Sequence, residues 1–276
     1  MTIRDLLQSA QETLGTLEQP RLEAMLLLEH SLGRPRSWLI AHDDEAPDTR
    51  QQATFQQLLE RRAQGEPLAY ITGKREFWSL ALEVNPDVLI PRPETELLVE
   101  TALERIPVSE SAQIADLGSG SGAITLAIAS ERPRATVIGV EFHPGALGVA
   151  QRNARRHNLD NVLFIHGPWL APLHGRRFDV IVSNPPYVAE ADPHLDALSY
   201  EPRSALAAGP DGLRDLRSIV ADASAHLQPH GWLLLEHGAD QGDAVRDLFA
   251  QSGFSDIETR RDLAGLERVT LGGRHG

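Results

Sequence analysis

The sequence predicts an α/β chain: a seven-stranded, mostly parallel, doubly wound sheet that follows a small N-terminal bundle of helices. Three observations carry this reading. From residue 113 onward, short apolar runs rich in β-branched residues alternate with helical stretches, as a wound parallel sheet requires. Before residue 65, apolar residues recur at three- and four-residue intervals and no strand signal occurs. A glycine-rich turn, Gly118-Ser119-Gly120-Ser121-Gly122, follows the first run, and open α/β sheets bind ligands at the carboxyl ends of their strands.

The elements follow in order. Ile3, Leu6, Leu7, Ala10, Leu14 and Leu17 form one helical stripe. Pro20 opens a second helix through Leu22, Met25, Leu26, Leu28 and His30, which stops near Gly33. A short piece holds Trp38 and Leu39, and a further helix spans 48–63 before Gly65. Such stripes read as core, so the bundle carries no chemistry of its own and is expected to recognise a partner. Phe77, Trp78, Leu80, Leu82 and Val84 alternate in part and predict a β-hairpin. In Ile90-Pro91-Arg92-Pro93-Glu94-Thr95-Glu96 two prolines hold the chain extended. A helix runs on to 105 with acids in its first turn, where the macrodipole favours them. This segment is expected to brace the domains and line the site. Strands are placed at 113–117, 136–140, 161–165, 178–182, 231–236, 254–259 and 267–271, and helices near 122–130, 144–157, 211–227 and 240–251. The stretch 188–210 reads as an irregular loop with a short helix. The division expected is a helical substrate-recognition domain at 1–73, a β-hairpin linker at 74–92 and a catalytic sheet domain at 93–276.

Composition narrows the function. The 276 residues are 41% apolar and 24% charged, ordinary for a globular chain. A net charge of -13, with no basic run of five, repels phosphate backbones, so direct nucleic-acid binding is not expected. Arg152, Arg155 and Arg156 read as a solvated helix face. The absence of cysteine excludes disulfides, thiolate metal sites and thiol nucleophiles. The eleven histidines show no ligand spacing, so no metal is expected. Arg4, Asp5 and Glu12 interrupt the first stretch, so neither a signal peptide nor a membrane span is read there. The expectation is a cytoplasmic monomer, off the membrane.

Two stretches carry chemistry. Phe178-Asp179-Val180-Ile181-Val182 reads as a buried strand, and Asn184-Pro185-Pro186-Tyr187 follows it. The two prolines forbid both strand and helix, so the backbone turns rigidly at the strand's end. Asn184 offers an amide carbonyl and an NH2, Pro185 and Pro186 offer backbone carbonyls, and Tyr187 offers a flat ring. Together these suit a planar group that bears an NH2; the same tetrapeptide reads equally as a strand-ending turn. In the other stretch, Asp116 precedes the three glycines, which let the backbone approach a ligand closely. Glu141, at the end of the second strand, is placed to accept both hydroxyls of a ribose. The set points to an adenosine-bearing cofactor. The glycine spacing is not that of the dinucleotide binders, which argues against a dehydrogenase.

At these residues the chain resembles the S-adenosylmethionine-dependent methyltransferases that modify amino or amide nitrogen. More closely, it resembles the release factor glutamine N5-methyltransferases. The further matches are 65–73, Arg75-Glu76-Phe77-Trp78, 90–96, Tyr200-Glu201-Pro202, 233–238 and 267–272, which together cover nearly the whole chain. The resemblance implies a Rossmann-like methyltransferase fold with S-adenosyl-L-methionine as methyl donor and S-adenosyl-L-homocysteine as product. It implies that Gly118, Ser119, Gly120, Ser121 and Gly122 cradle the methionine part. Glu141 would hold the ribose, Trp169 would pack near the adenine, and Asn184 would touch both cofactor and substrate. Asn184, Pro185, Pro186 and Tyr187 would hold the glutamine of the Gly-Gly-Gln motif in class 1 peptide chain release factors, a modification that modulates translation termination. Asn184, Pro185 and Tyr187 are the expected catalytic set. Glu201, Glu236 and His237 are expected to be structural.

Two positions depart from the family pattern. Pro168 stands before the tryptophan where an acid is common, so its side chain cannot accept from the adenine amino group. Phe142 follows Glu141 where relatives are polar, and it either stacks on adenine or faces the core. Two other functions fit parts of the sequence. An adenine N6-methyltransferase on DNA or RNA shares the Asn-Pro-Pro-Tyr motif, but the net charge and the helical bundle oppose it. A non-catalytic binding module is opposed by the intact Asn184, Gly118, Gly120 and Glu141.

Overall fold

Helix α1 (Ile3–Thr13) begins where Thr2 and Asp5 close a reciprocal capping box, which satisfies two amides that a helix start leaves free. Helix α2 (Pro20–Leu32) has proline in its first turn and ends at Gly33 in the left-handed region. Helix α3 (Arg36–Ala41) is short; α4 (Thr49–Ala63) opens on a second capping box, Asp48 with Gln51. Helix α5 (Leu68–Thr72) lies between Pro67 and a left-handed Gly73. Five residues are too few to show a helical period, so this turn was not predicted. In this computed structural model, residues 1–109 and 111–276 are described, and they divide into two compact units, Met1–Lys74 and Arg75–Gly276.

The first unit has its own core of Ile3, Leu6, Ala10, Leu14, Met25, Leu27, Leu28, Leu39, Phe55, Leu59 and Ile71. The face of α2 differs from the expected one. Leu22 and His30 are exposed, and Ala24 and Leu27 take the buried positions. The helix is apolar over much of its surface, so periodicity alone does not fix which side packs. The Arg62 guanidinium pairs with Glu23 and ties α4 to α2.

From Arg75 on, the second unit takes in the hairpin of β1 (Lys74–Phe77) and β2 (Leu80–Glu83). Its turn residues Trp78 and Ser79 both lie at positive φ, 51° and 59°. Two-residue hairpin turns require that conformation, usually supplied by Asn-Gly. Here side-chain anchors hold it: Trp78 N–H donates to Glu96 Oε1 at 3.0 Å and its indole N–H to Glu131 Oε1 at 3.0 Å.

After helix α6 (Glu96–Arg105) the chain alternates: β3 (Gln113–Leu117), α7 (Ala123–Glu131), β4 (Thr136–Glu141), α8 (Pro144–His157), β5 (Val162–His166) and β6 (Phe178–Ser183). Helix α9 (His194–Ala197) sits in the long loop, followed by α10 (Arg214–His226), β7 (Leu227–Glu236), α11 (Gly242–Gln251), β8 (Ser255–Arg261) and β9 (Glu267–Gly273). Among the described residues the sheet order is β5-β4-β3-β6-β7-β9-β8, parallel except where β9 pairs antiparallel with β7 and β8. The expected strands all form. Strand β7 starts four residues early, at Leu227, because Pro229 and Gly231 disguise its first half and a register shift accommodates them. Alternate residues serve opposite faces. Ile114, Val180, Val182 and Leu234 pack with Leu98 and Ile128 of α6 and α7. Ala115, Leu117, Ile181 and Leu235 pack with Leu216, Ile219 and Phe249 of α10 and α11. Among the described residues no helix is long and apolar enough to cross a membrane, and no cluster of His, Asp and Glu is disposed to hold a metal ion.

Candidate active site

Strand order reverses between β3 and β6. The chain winds from β3 outward to β5, then returns to β6 on the other side of β3. Such a reversal leaves a crevice beyond the carboxyl ends of the two strands. Leu117 pairs with Ser183 there, and Ser183 Oγ donates to the Leu117 carbonyl at 2.6 Å. Gly118 and Asn184 are therefore side by side, each one residue past its strand. A cavity of about 400 Å³ opens at this point, lined by Gly118, Gly120, Glu141, Trp169, Asn184 and Pro186 among others.

The glycine turn is built by backbone demands. Gly118, Gly120 and Gly122 have φ of 74°, 55° and 85°, the left-handed region that favours glycine. The Gly118 and Ser119 amides both donate to the Val140 carbonyl, at 2.8 and 3.0 Å, which folds the turn over the end of β4. A Cβ on Gly120 would meet nothing within 4 Å, so its backbone borders open space. A Cβ on Gly118 would lie 3.1 Å from the Trp169 ring. Trp169 itself holds φ of 43°, a strained value for a bulky residue, and it lays its indole along the glycine. Gly122 serves packing instead: a Cβ there would meet Phe164 and Ala150 at 3.2 and 3.3 Å.

The carboxylates are held differently. Glu141 accepts from the Gly120 amide at 2.8 Å and the His143 amide at 2.8 Å, one bond to each oxygen. Its side chain is fixed, and each oxygen keeps a lone pair. Asp116 is fully buried, and Oδ2 accepts from the Thr125 amide and hydroxyl. Its Oδ1 has no partner among the described residues, and neither does Ser119 Oγ. Burial pushes the Asp116 carboxyl up to about 7, against the Thr125 bonds and with help from the Glu141 charge.

Asn184 donates from Nδ2 to Thr95 Oγ1 at 3.1 Å. Tyr187 is held by its backbone, its carbonyl accepting from Gln241 Nε2 at 3.0 Å. Burial, then the Glu236 charge, raises its phenol above the ordinary tyrosine value, so it stays protonated. Of the expected site residues, Gly118, Gly120, Glu141, Trp169, Asn184 and Pro186 share the cavity wall. Ser119, Ser121, Gly122, Pro185 and Tyr187 belong to the same two turns but do not line it.

Phe142 is 56% exposed at the cavity, stacked with His166, so it does not face the core. Pro168 also lines the cavity. Glu201 accepts from the Ile90 amide at 3.0 Å and pairs with Arg92, pinning the segment before α6. His237 is buried with Nδ1 2.8 Å from the Gly238 carbonyl and Nε2 2.8 Å from Thr270 Oγ1. Burial lowers its pKa, so it is a neutral structural group. Sequence reasoning missed Asp87, Val88, Leu89, Ser204, Arg214 and Asp215, which also line the cavity. No local spacing marks them, because tertiary packing alone brings them there.

Comparison with known proteins agrees with this geometry. Residues 5–73 match the family model described as the PrmC N-terminal domain, and 93–201 that of the Methyltransferase small domain. The chain is 48% identical over 274 residues to the release factor glutamine methyltransferase of Salmonella typhimurium, covering 99% of each chain. It is 46% identical over 275 residues to that of Coxiella burnetii, again covering 99% of each. Among solved structures, a methyltransferase from Pyrococcus furiosus superposes with a TM-score of 0.56 at 17% identity, over 79% of this chain and 98% of the other. The 16S rRNA N2 G1207 methyltransferase of T. thermophilus, solved with AdoMet and guanosine, gives 0.56 at 23% identity, over 73% and 50%. At these identities the two structures show the shared fold.

A wound sheet with this switch-point cavity and this domain match defines an S-adenosylmethionine-dependent methyltransferase. The residues fit that cofactor. The open space at Gly120 is a cradle that any side chain would fill, the Glu141 carboxylate is held by two amides with a lone pair left on each oxygen, and the cavity lies within the about 300–1,000 Å³ of small-molecule sites. Near-full-length identity of 46–48% places the chain in a narrower group: it belongs to the release factor glutamine methyltransferase family.

Proposed function

We infer that this enzyme transfers a methyl group from S-adenosylmethionine to the side-chain amide nitrogen of the glutamine in the Gly-Gly-Gln motif of class 1 release factors. The observation that carries the reading is the position of Asn184. It stands on the cavity wall beside Gly118 with its Nδ2 already committed to Thr95.

An amide nitrogen is a poor nucleophile, because its lone pair is delocalised into the carbonyl. Bound S-adenosylmethionine supplies a methyl group already activated on a sulfonium. Glu141 would hold the ribose hydroxyls, the 118–122 turn the methionine part, and Trp169 would lie near the adenine. Asn184 Oδ1 and the Pro185 carbonyl accept the two N–H bonds of the substrate amide. This pair favours a more pyramidal nitrogen and stabilises the positive charge that develops there. The Tyr187 ring holds the amide plane. Positioning of this kind contributes roughly 7–11 kcal/mol in favourable cases. Tyr187 keeps its proton and serves as no base, and the product loses its extra proton to water.

Tandem mass spectrometry of a release factor incubated with the enzyme and cofactor tests the reading. A methyl group on the glutamine side-chain nitrogen is expected. A methyl group elsewhere, or none, would contradict it. The adenine alternative has nothing to favour it: the relatives named above match end to end, and the net charge is -13.

A further inference from the structure

An asparagine amide is nearly symmetric in shape, so packing does not decide which end faces the substrate. In the reaction inferred above the choice matters. The carbonyl end accepts the substrate N–H; the NH2 end would oppose the substrate's own NH2. We propose that Thr95, with Glu236 behind it, is the positioning residue that fixes the Asn184 amide with its carbonyl toward the substrate. This rests on the glutamine-methylation reading.

Thr95 occupies the N-cap of α6, where a threonine oxygen ordinarily accepts from an amide of the first turn. Here it does not cap: its backbone is helical, at φ -66° and ψ -18°, and the side chain makes no capping bond. The residue is 4% exposed, and its oxygen accepts from Asn184 Nδ2 at 3.1 Å. A hydroxyl has one proton to give. The buried carboxyl nearest in chemistry to take it is Glu236, which is 1% exposed at the end of β7 and whose pKa Thr95 lowers. Glu236 Oε2 has no partner among the described residues.

The groups that act on the Glu236 charge are Thr95, Tyr187, Arg268 and Glu94. The two hydroxyls and Arg268 favour its charge; burial and Glu94 oppose it and hold its carboxyl up to about 7. Above that pH it is ionised, and an ionised carboxylate only accepts. Polarity then runs one way. Glu236 takes the Thr95 proton, the Thr95 lone pair takes the Asn184 NH2, and Asn184 Oδ1 is left for the substrate. A flipped amide would set its oxygen against the Thr95 lone pairs.

The test compares wild type, Thr95→Val and Thr95→Ser at about pH 8, above the Glu236 value. Valine keeps the shape and removes the hydroxyl; serine keeps the hydroxyl. With cofactor saturating, Thr95→Val is expected to lose about tenfold in kcat, with KM for the release factor within about twofold. Thr95→Ser is expected to recover most of the loss. The side-chain amide resonance of Asn184, in protein free of cofactor and substrate, is the second readout. In wild type one Nδ2 proton is expected to exchange slowly with water, and in Thr95→Val that protection is lost. Full kcat in Thr95→Val, or Thr95→Ser as impaired as Thr95→Val, would overturn the proposal. So would an unprotected Asn184 amide in wild type, a result that needs no variant to fold. If wild type leaves the glutamine unmethylated, the functional reading fails, and the resonance still decides whether Thr95 fixes the amide.

Discussion

In the mechanism proposed above, Asn184→Ala removes one of the two acceptors for the substrate amide. Turnover at saturating cofactor is expected to fall about 10²–10³-fold. Near-normal turnover in a steady-state assay would contradict the assigned role. Gly118→Ala tests the cofactor turn. Its φ of 74° costs a side chain about 1–2 kcal/mol, and the new Cβ would lie 3.1 Å from Trp169. Gly175 is the control, with φ of 77° and nothing within 4 Å of a new Cβ. Both alanine variants are expected to lose stability on thermal melting, Gly118→Ala the more because of the Trp169 contact. Calorimetric titration is expected to show weaker S-adenosylmethionine binding in Gly118→Ala alone. At this scale the sequence was readable wherever chemistry is local. The glycine spacing, Glu141 and Asn184 stand beside strands whose patterns are clear. Thr95 was not readable, because the hydroxyl that meets Asn184 comes from 89 residues away. Asp87 and Asp215 were missed for the same reason.

At the scale of elements, the strands were legible because central parallel strands are continuous β-branched runs, such as Val180-Ile181-Val182. The turn between β1 and β2 was legible as a hairpin but not in its conformation. Trp78-Ser79 lacks the usual residues for two positive φ values, and Glu96 and Glu131 compensate from outside. Ser79 is exposed, so Ser79→Gly relieves the left-handed backbone without losing a packed side chain. A stability gain of up to about 1 kcal/mol is expected, after the entropy that glycine costs the folded state. Activity is expected to be unchanged. A lower melting temperature would contradict the strain assigned to this turn. Helix α5 and the first half of β7 escaped prediction for identifiable reasons, brevity in one and Pro229 with Gly231 in the other.

At the scale of the whole molecule, stability is tied to pH by buried carboxyls. Burial holds the Asp116 carboxyl up to about 7 in the fold, against 3.8 ordinarily. Its folded value is raised, so the unfolded chain gives up this proton first as pH rises. The stabilisation from the retained proton is full below 3.8 and is lost as pH climbs through about 7. Asp116→Asn carries no such charge. It is expected to melt higher than wild type at about pH 8, with the gap closing as pH falls toward 4. A gap independent of pH would show that burial does not govern this carboxyl. Labelled methyl transfer from S-adenosylmethionine would be followed to a purified class 1 release factor, to its Gly-Gly-Gln variant with Gln→Ala, and to duplex DNA. Label is expected on the native factor alone. Label on DNA but not on the factor, or equal label on the Gln→Ala variant, would contradict it.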